Sequence, residues 1–169
     1  MALAGKQILL IVSGGIAAYK AAVLVRRLKD AGATVVPILT KGGAQVITPL
    51  TPAGLAEHPV YQDLFSLKDE AEMGHIRLAR EADLILVAPA SADLIGRMAA
   101  GLADDLASTT LHAADGPVAI APSMNPVMWA NPATQANVHA LMARGVHVWG
   151  PADGDMACGE IGSGRLTEP

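Results

Sequence analysis

The chain has 169 residues, 51% of them hydrophobic and only 3% aromatic, with a formal net charge of -4 and an isoelectric point near 5.6. That is enough chain for one domain with a core of Ala, Val, Leu, Ile and Met, and it offers no basic footprint for nucleic acid. No apolar run approaches the roughly 18 residues that span a bilayer, and the glycine- and charge-interrupted N-terminus lacks a secretory hydrophobic region, so a soluble cytoplasmic protein without membrane partners is expected.

Lys6 to Ser13, KQILLIVS, is a short continuous apolar run of the kind buried on both faces of a parallel sheet. After the turn Ser13-Gly14-Gly15, apolar side chains at Ala21, Leu24, Val25 and Leu28 fall at helical spacing. Arg26, Arg27, Lys29 and Asp30 lie opposite, and Gly32 stops the helix. Thr34 to Leu39 is a second strand, in which Pro37 points to a sheet edge or a bulge. Asp83 to Ala88, Pro117 to Ala121 and Val146 to Trp149 complete a set of five. Helical patterns run over Gly43 to Leu50, Gly74 to Glu81, Ala92 to Ala100, Asp104 to Ala114 and Pro132 to Arg144. The last has Asn131 as N-cap, Pro132 at its first position and Gly145 at its end. The tail after Gly150 reads as a loop or flap. Strands alternating with helices imply right-handed crossovers and a single α/β domain: a doubly wound, mainly parallel sheet with helices on both faces.

In such sheets ligands gather beyond the carboxyl ends of the strands. Ser13, Gly14, Gly15 and Ile16 place a hydroxyl and free N–H groups where a helix begins, which suits a phosphate, although tight turns alone would use the same residues. The spacing is not G-x-G-x-x-G, and the second strand ends in Thr40-Lys41 rather than in an acid, which disfavours a dinucleotide of the NAD type. Thr40 and Lys41 suit a phosphate or ribityl contact, and Ser91, with Ala92 and Asp93, offers a third. Together these loops suit a mononucleotide such as FMN. His75, after Gly74 at a helix start, reads either as a base or as a cap. The other histidines, His58, His112, His139 and His147, show no metal-ligand spacing, so no metal is expected. The lone Cys158 excludes an intrachain disulfide framework. It lies in GDMACGEIGSGRL, a polar glycine-rich stretch ill suited to burying a thiol, which favours a functional one.

Pro122-Ser123-Met124-Asn125-Pro126-Val127-Met128-Trp129 matches the P-x-M-N-x-x-M-W pattern of the homo-oligomeric flavin-containing cysteine decarboxylases. With SGGIAAYK, MGHIRL, APASADLIGRMAAGLADDL and ACGEIGSGRL, the chain from about Lys6 to Leu166 closely resembles the phosphopantothenoylcysteine decarboxylase domains of bacterial coenzyme A biosynthesis. The resemblance implies a flavodoxin- or Rossmann-like fold, an FMN cofactor between subunits of a trimer often assembled further into a dodecamer, and decarboxylation of 4'-phosphopantothenoylcysteine to 4'-phosphopantetheine. In that chemistry the substrate thiol is oxidised by hydride transfer to FMN, which gives the departing carboxylate an electron sink, and the resulting enethiol is then reduced. By the same resemblance His75 is the base, Asn125 holds the substrate carboxylate with Met124 and Ala157 beside it, and Cys158 protonates the enethiol. Gly14, Gly15, Thr40, Ser91 and Ser123 fall where the family contacts FMN. Relatives are commonly fused to a C-terminal phosphopantothenate-cysteine ligase, so the expectation is one flavoprotein domain over 1–169, with 151–169 as active-site flap and tail, and either a monofunctional protein or, the favoured reading, a ligase half outside this sequence.

Three rivals share the fold. Peptidyl-cysteine decarboxylases of lantibiotic maturation stop at the enethiol and need no counterpart of Cys158. Flavin prenyltransferases lack the full Pro122 to Trp129 pattern. Non-catalytic relatives would be expected to lose His75, Asn125 or Cys158.

Overall fold

The computed structural model describes residues 1–65 and 74–169. Five strands, β1 (Gln7–Val12), β2 (Thr34–Leu39), β3 (Leu84–Ala90), β4 (Val118–Pro122) and β5 (His147–Val148), pair in parallel in the order β2-β1-β3-β4-β5. Side chains alternate across a strand, so the unbroken apolar run of β1 requires cover on both sides. Ile8, Leu10 and Val12 enter one hydrophobic cluster, joined by α1 (Ala21–Asp30) and α2 (Leu50–Ala56) through Val25 and Ala56. Leu9 and Ile11 enter the other, closed by α3 (Gly74–Glu81), α4 (Ala92–Ala100), α5 (Leu106–His112) and α7 (Pro132–Ala143).

The proline in β2 is explained by its place at the edge. Its carbonyl accepts from Tyr61 N–H, and Leu39 N–H donates to the Tyr61 carbonyl, both at 3.0 Å. Pro37 therefore turns its backbone away from β1, and its missing N–H removes nothing from the β1–β2 ladder.

Three local expectations need correction. Gly43 to Leu50 is not an α-helix: a 3-10 turn covers Gly43–Gln45, and α2 begins only at Leu50, because Pro49 disfavours helical backbone at Thr48 and then serves as the cap of α2. The first loop does not open directly into α1; a 3-10 helix, Ile16–Lys20, intervenes, so Gly15 and Ile16 stand one element away from the α-helix dipole. The tail after Gly150, expected as a loop or flap, is an antiparallel hairpin of β6 (Ala152–Asp155) and β7 (Ile161–Arg165).

The crossovers diverge between β1 and β3, and there the two loops are stapled. The buried Ser13 hydroxyl donates to the Pro89 carbonyl at 2.6 Å and accepts from Ser91 N–H at 2.9 Å. Ser13→Ala leaves Ser91 N–H without its partner and the Pro89 carbonyl without its best one, so a loss of about 1–3 kcal/mol is expected. Chemical denaturation checks this; a midpoint equal to that of the parent protein would show the staple to be idle. Among the described residues, no helix is long and apolar enough to cross a membrane.

Candidate active site

The segment after β4 contains two Asn-Pro pairs, and each starts a helix. Asn131 accepts from Ala133 N–H at 2.9 Å while Pro132 opens α7. Asn125 does the same earlier, accepting through Oδ1 from Met128 N–H at 2.8 Å, with Pro126 at the first position of α6 (Pro126–Ala130). That helix was not expected. The cap also orients the amide: with Oδ1 committed to backbone, the Asn125 side chain presents its NH2 as a free donor. Met124 and Trp129 pack against the second cluster, Gln135 ties Trp129 O to α7 at 2.6 Å, and Val127 and Met128 face outward.

The hairpin lies against this segment. Met124 N–H donates to the Gly164 carbonyl at 2.9 Å, and a Cβ at Gly164, whose φ is +135°, would overlap the Met124 carbonyl. Glycine at this position is what lets the backbones meet. The turn of the hairpin, closed by Met156 N–H donating to the Glu160 carbonyl at 2.9 Å, exposes Cys158. The proline-rich segment and the glycine-rich tail, distant in sequence, are thus two walls of one cleft of about 540 Å³.

Seven residues singled out from the sequence meet there: Gly15, Ile16, Ser123, Met124, Asn125, Ala157 and Cys158. The remainder do not line it. Gly14 is spent on loop packing, where an added Cβ would stand 3.3 Å from Gly42 Cα. Ser13 is committed to its staple. Thr40 and Lys41 line a second hollow, also of about 540 Å³, beside Phe65 and Asp105, and Thr40 Oγ1 accepts from Gly43 N–H at 3.1 Å. Ser91 caps α4 by accepting from Leu94 N–H at 3.1 Å; Ala92 and Asp93 form the first turn of that helix, with Asp93 paired to Arg97 at 3.1 Å. His75 opens α3 and is absent from the walls of the cleft. Its Nδ1 is buried and has no hydrogen-bond partner among the described residues. The MGHIRL stretch begins at Met73, which lies outside them.

The two cations of the cleft, Lys20 and Arg165, have no forecast role. Lys20 Nζ lies 2.9 Å from Glu168 Oε1, and Arg165 Nη2 lies 2.7 Å from the same oxygen. The Lys20 ammonium, through its hydrogen bond and its charge, holds the Glu168 carboxyl below the usual carboxylate range. Each cation ends or nearly ends a stretch marked out by glycine spacing, SGGIAAYK and IGSGR, so the visible signal was the glycines rather than the charge.

An open parallel sheet with a cleft at the carboxyl edge, walled by an amide and an exposed thiol, has the architecture of an α/β domain that binds small molecules at its strand ends. The chain belongs to the flavoprotein family, whose pattern matches residues 2–169. It is 55% identical over 167 residues to the coenzyme A biosynthesis bifunctional protein CoaBC of Vibrio vulnificus (strain YJ016), covering 99% of this chain and 42% of that one. It is 51% identical over 169 residues to the CoaBC of Escherichia coli (strain K12), covering all of this chain and again 42% of the relative. The chain therefore spans about two fifths of the length of these curated relatives. Among solved structures it resembles a cysteine-to-serine mutant of PPC decarboxylase complexed with pantothenoylaminoethenethiol, with a TM-score of 0.86, 30% identity, and coverage of 96% of this chain and 91% of that one. It also resembles the FMN-dependent cysteine decarboxylase SpaF, with a TM-score of 0.85, 27% identity and coverage of 96% and 91%.

Proposed function

We propose that the chain is an FMN-dependent lyase of cytoplasmic coenzyme A biosynthesis, decarboxylating 4'-phosphopantothenoylcysteine to 4'-phosphopantetheine. The observation that carries this reading is the pairing, in one cleft, of an Asn125 amide fixed as a donor and an exposed Cys158 thiol. The similarity to CoaBC proteins and to a solved PPC decarboxylase supports it.

The cleft volume lies within the range of cofactor and small-molecule sites. Gly15 leaves its floor open, with nothing within 4 Å of where a Cβ would stand. Gly15, Ile16 and Ser123 are the residues of this cleft that would hold FMN, while Thr40, Lys41 and Ser91 present polar groups from neighbouring loops. When bound, FMN would supply a reversible two-electron acceptor for the thiol-bearing carbon of the substrate.

The protein's own residues do the rest. Asn125 donates through Nδ2 to the substrate carboxylate, with Met124 and Ala157 alongside. Cys158, carried on the tip of the hairpin, delivers a proton to the enethiol, and the hairpin walls the reaction from water. His75 removes the thiol proton in the first step, and its imidazole suits proton transfer near neutral pH. Its place outside the cleft of its own chain supports a site shared with another copy. The working unit is read here as a homo-oligomer, a trimer, and the exposed apolar side chains of Ile16, Val127 and Ile161 suit such a contact.

The purified protein is expected to be yellow, to bind FMN, and to release CO2 from 4'-phosphopantothenoylcysteine with formation of 4'-phosphopantetheine. A colourless protein that takes up no FMN on titration would overturn the reading.

A further inference from the structure

Two cations of the cleft wall, Lys20 and Arg165, already hold an anion of this chain, Glu168, at its rim. Lys20 comes from the 3-10 helix after β1, and Arg165 ends β7; they reach one oxygen of Glu168, at 2.9 and 2.7 Å. Lys20 is 13% exposed whereas Glu168 is 65% exposed, so the lysine is a built part of the wall and the carboxylate can leave toward solvent. The Arg165 side chain lies over Gly154: a Cβ there would come within 3.0 Å of Nη1 and 3.3 Å of Cδ, so the missing side chain is what gives the guanidinium its bed. Among the described residues, Asp155 is the one acid lining the cleft, against the two cations. None of the steps assigned above uses either cation.

We propose that Lys20 and Arg165 form a phosphate-monoester subsite, in which the ester displaces Glu168 from the pair. This deepens the decarboxylase reading and rests on it for the identity of the ester, the phosphate end of the substrate. A phosphate monoester carries about -1.5 to -2 charges near neutral pH and three acceptor oxygens, against one charge on a carboxylate. Arginine holds such a group through two parallel N–H bonds while lysine adds a point charge, and partial burial strengthens both. Charge thus favours the ester over Glu168, and Glu168 offsets one of the two positive charges in its absence. The cleft places this subsite in one space with Asn125 and Cys158, as a substrate with a carboxylate at one end and a phosphate at the other requires.

The test uses flavin-loaded protein and the variants Lys20→Met, Arg165→Met and Glu168→Gln. The ratio of kcat/KM for 4'-phosphopantothenoylcysteine to that for unphosphorylated pantothenoylcysteine is expected to fall at least about tenfold in each cation variant. In Glu168→Gln the KM for the phosphorylated substrate is expected to drop several-fold, since the internal rival has lost its charge. Arg165→Lys should recover part of the ratio. The FMN phosphate is the other source of the same chemistry: retention of FMN falling with retention of riboflavin unchanged would assign the pair to the cofactor and still support a monoester subsite. Binding of inorganic phosphate, followed by calorimetry, needs no turnover; its loss in both cation variants would support the subsite even if the protein decarboxylated neither thiol. Equal losses on both substrates with phosphate binding intact would reduce the pair to a structural clasp and overturn the proposal.

Discussion

Cys158→Ser is expected to release CO2 from 4'-phosphopantothenoylcysteine and then stop, accumulating the enethiol in place of 4'-phosphopantetheine. Cys158 is exposed at the hairpin turn, so serine fits there without disturbing a core, and loss of cofactor or fold should not accompany the change. What changes is acidity. A hydroxyl yields its proton far less readily than a thiol, and an acid catalyst of this kind contributes roughly 10²- to 10⁴-fold. Mass spectrometry of the reaction distinguishes the outcomes, since the enethiol lacks two hydrogens of the saturated product. Full conversion to 4'-phosphopantetheine by the serine variant would remove the role assigned to the thiol, and would leave the proton to come from elsewhere.

The second large effect is expected from Asn125→Asp. Aspartate caps a helix about as well as asparagine, so Met128 N–H keeps an acceptor and the thermal midpoint should scarcely move. The other half of the side chain is inverted, however: an NH2 donor becomes an anionic oxygen facing the substrate carboxylate. Like charges placed together in an interface cost several kcal/mol, which corresponds to a fall in kcat/KM of about 10³-fold or more. Asn125→Ala separates the two duties from the other side, losing the donor and also about 1 kcal/mol of cap. Parallel melting curves and steady-state kinetics on the two variants check this; an aspartate variant within tenfold of the parent protein would show that Asn125 acts only as a cap.

These two residues also show where sequence reasoning reaches and where it stops. Asn125-Pro126 carries the same helix-start signature as Asn131-Pro132, and only the second was read as such. The first is followed by a helix of five residues, too short to show a periodic apolar face. Cys158 was legible as exposed from its polar, glycine-rich surroundings. Its nearness to Asn125 was not, because that depends on Gly164 lying against Met124 across some forty residues of chain. Ser13 and Ser91 show a second limit: hydroxyls just after strands read as ligand contacts from sequence, whereas only the structure reveals that Ser13 also ties two loops together and Ser91 also caps α4.

What the amino-acid order determined unaided is whatever depends on neighbours along the chain: unbroken apolar runs that demand cover on both faces, a proline that requires a sheet edge or a bulge, and motifs that mark the flavoprotein family. Strand order, the hairpin in the tail, the exclusion of His75 from the cleft and the meeting of Lys20 with Arg165 were decided by tertiary structure alone. Each rests on contacts between segments far apart in the chain, whose energy comes from side chains brought together only after the sheet has formed, and no local spacing encodes that distance.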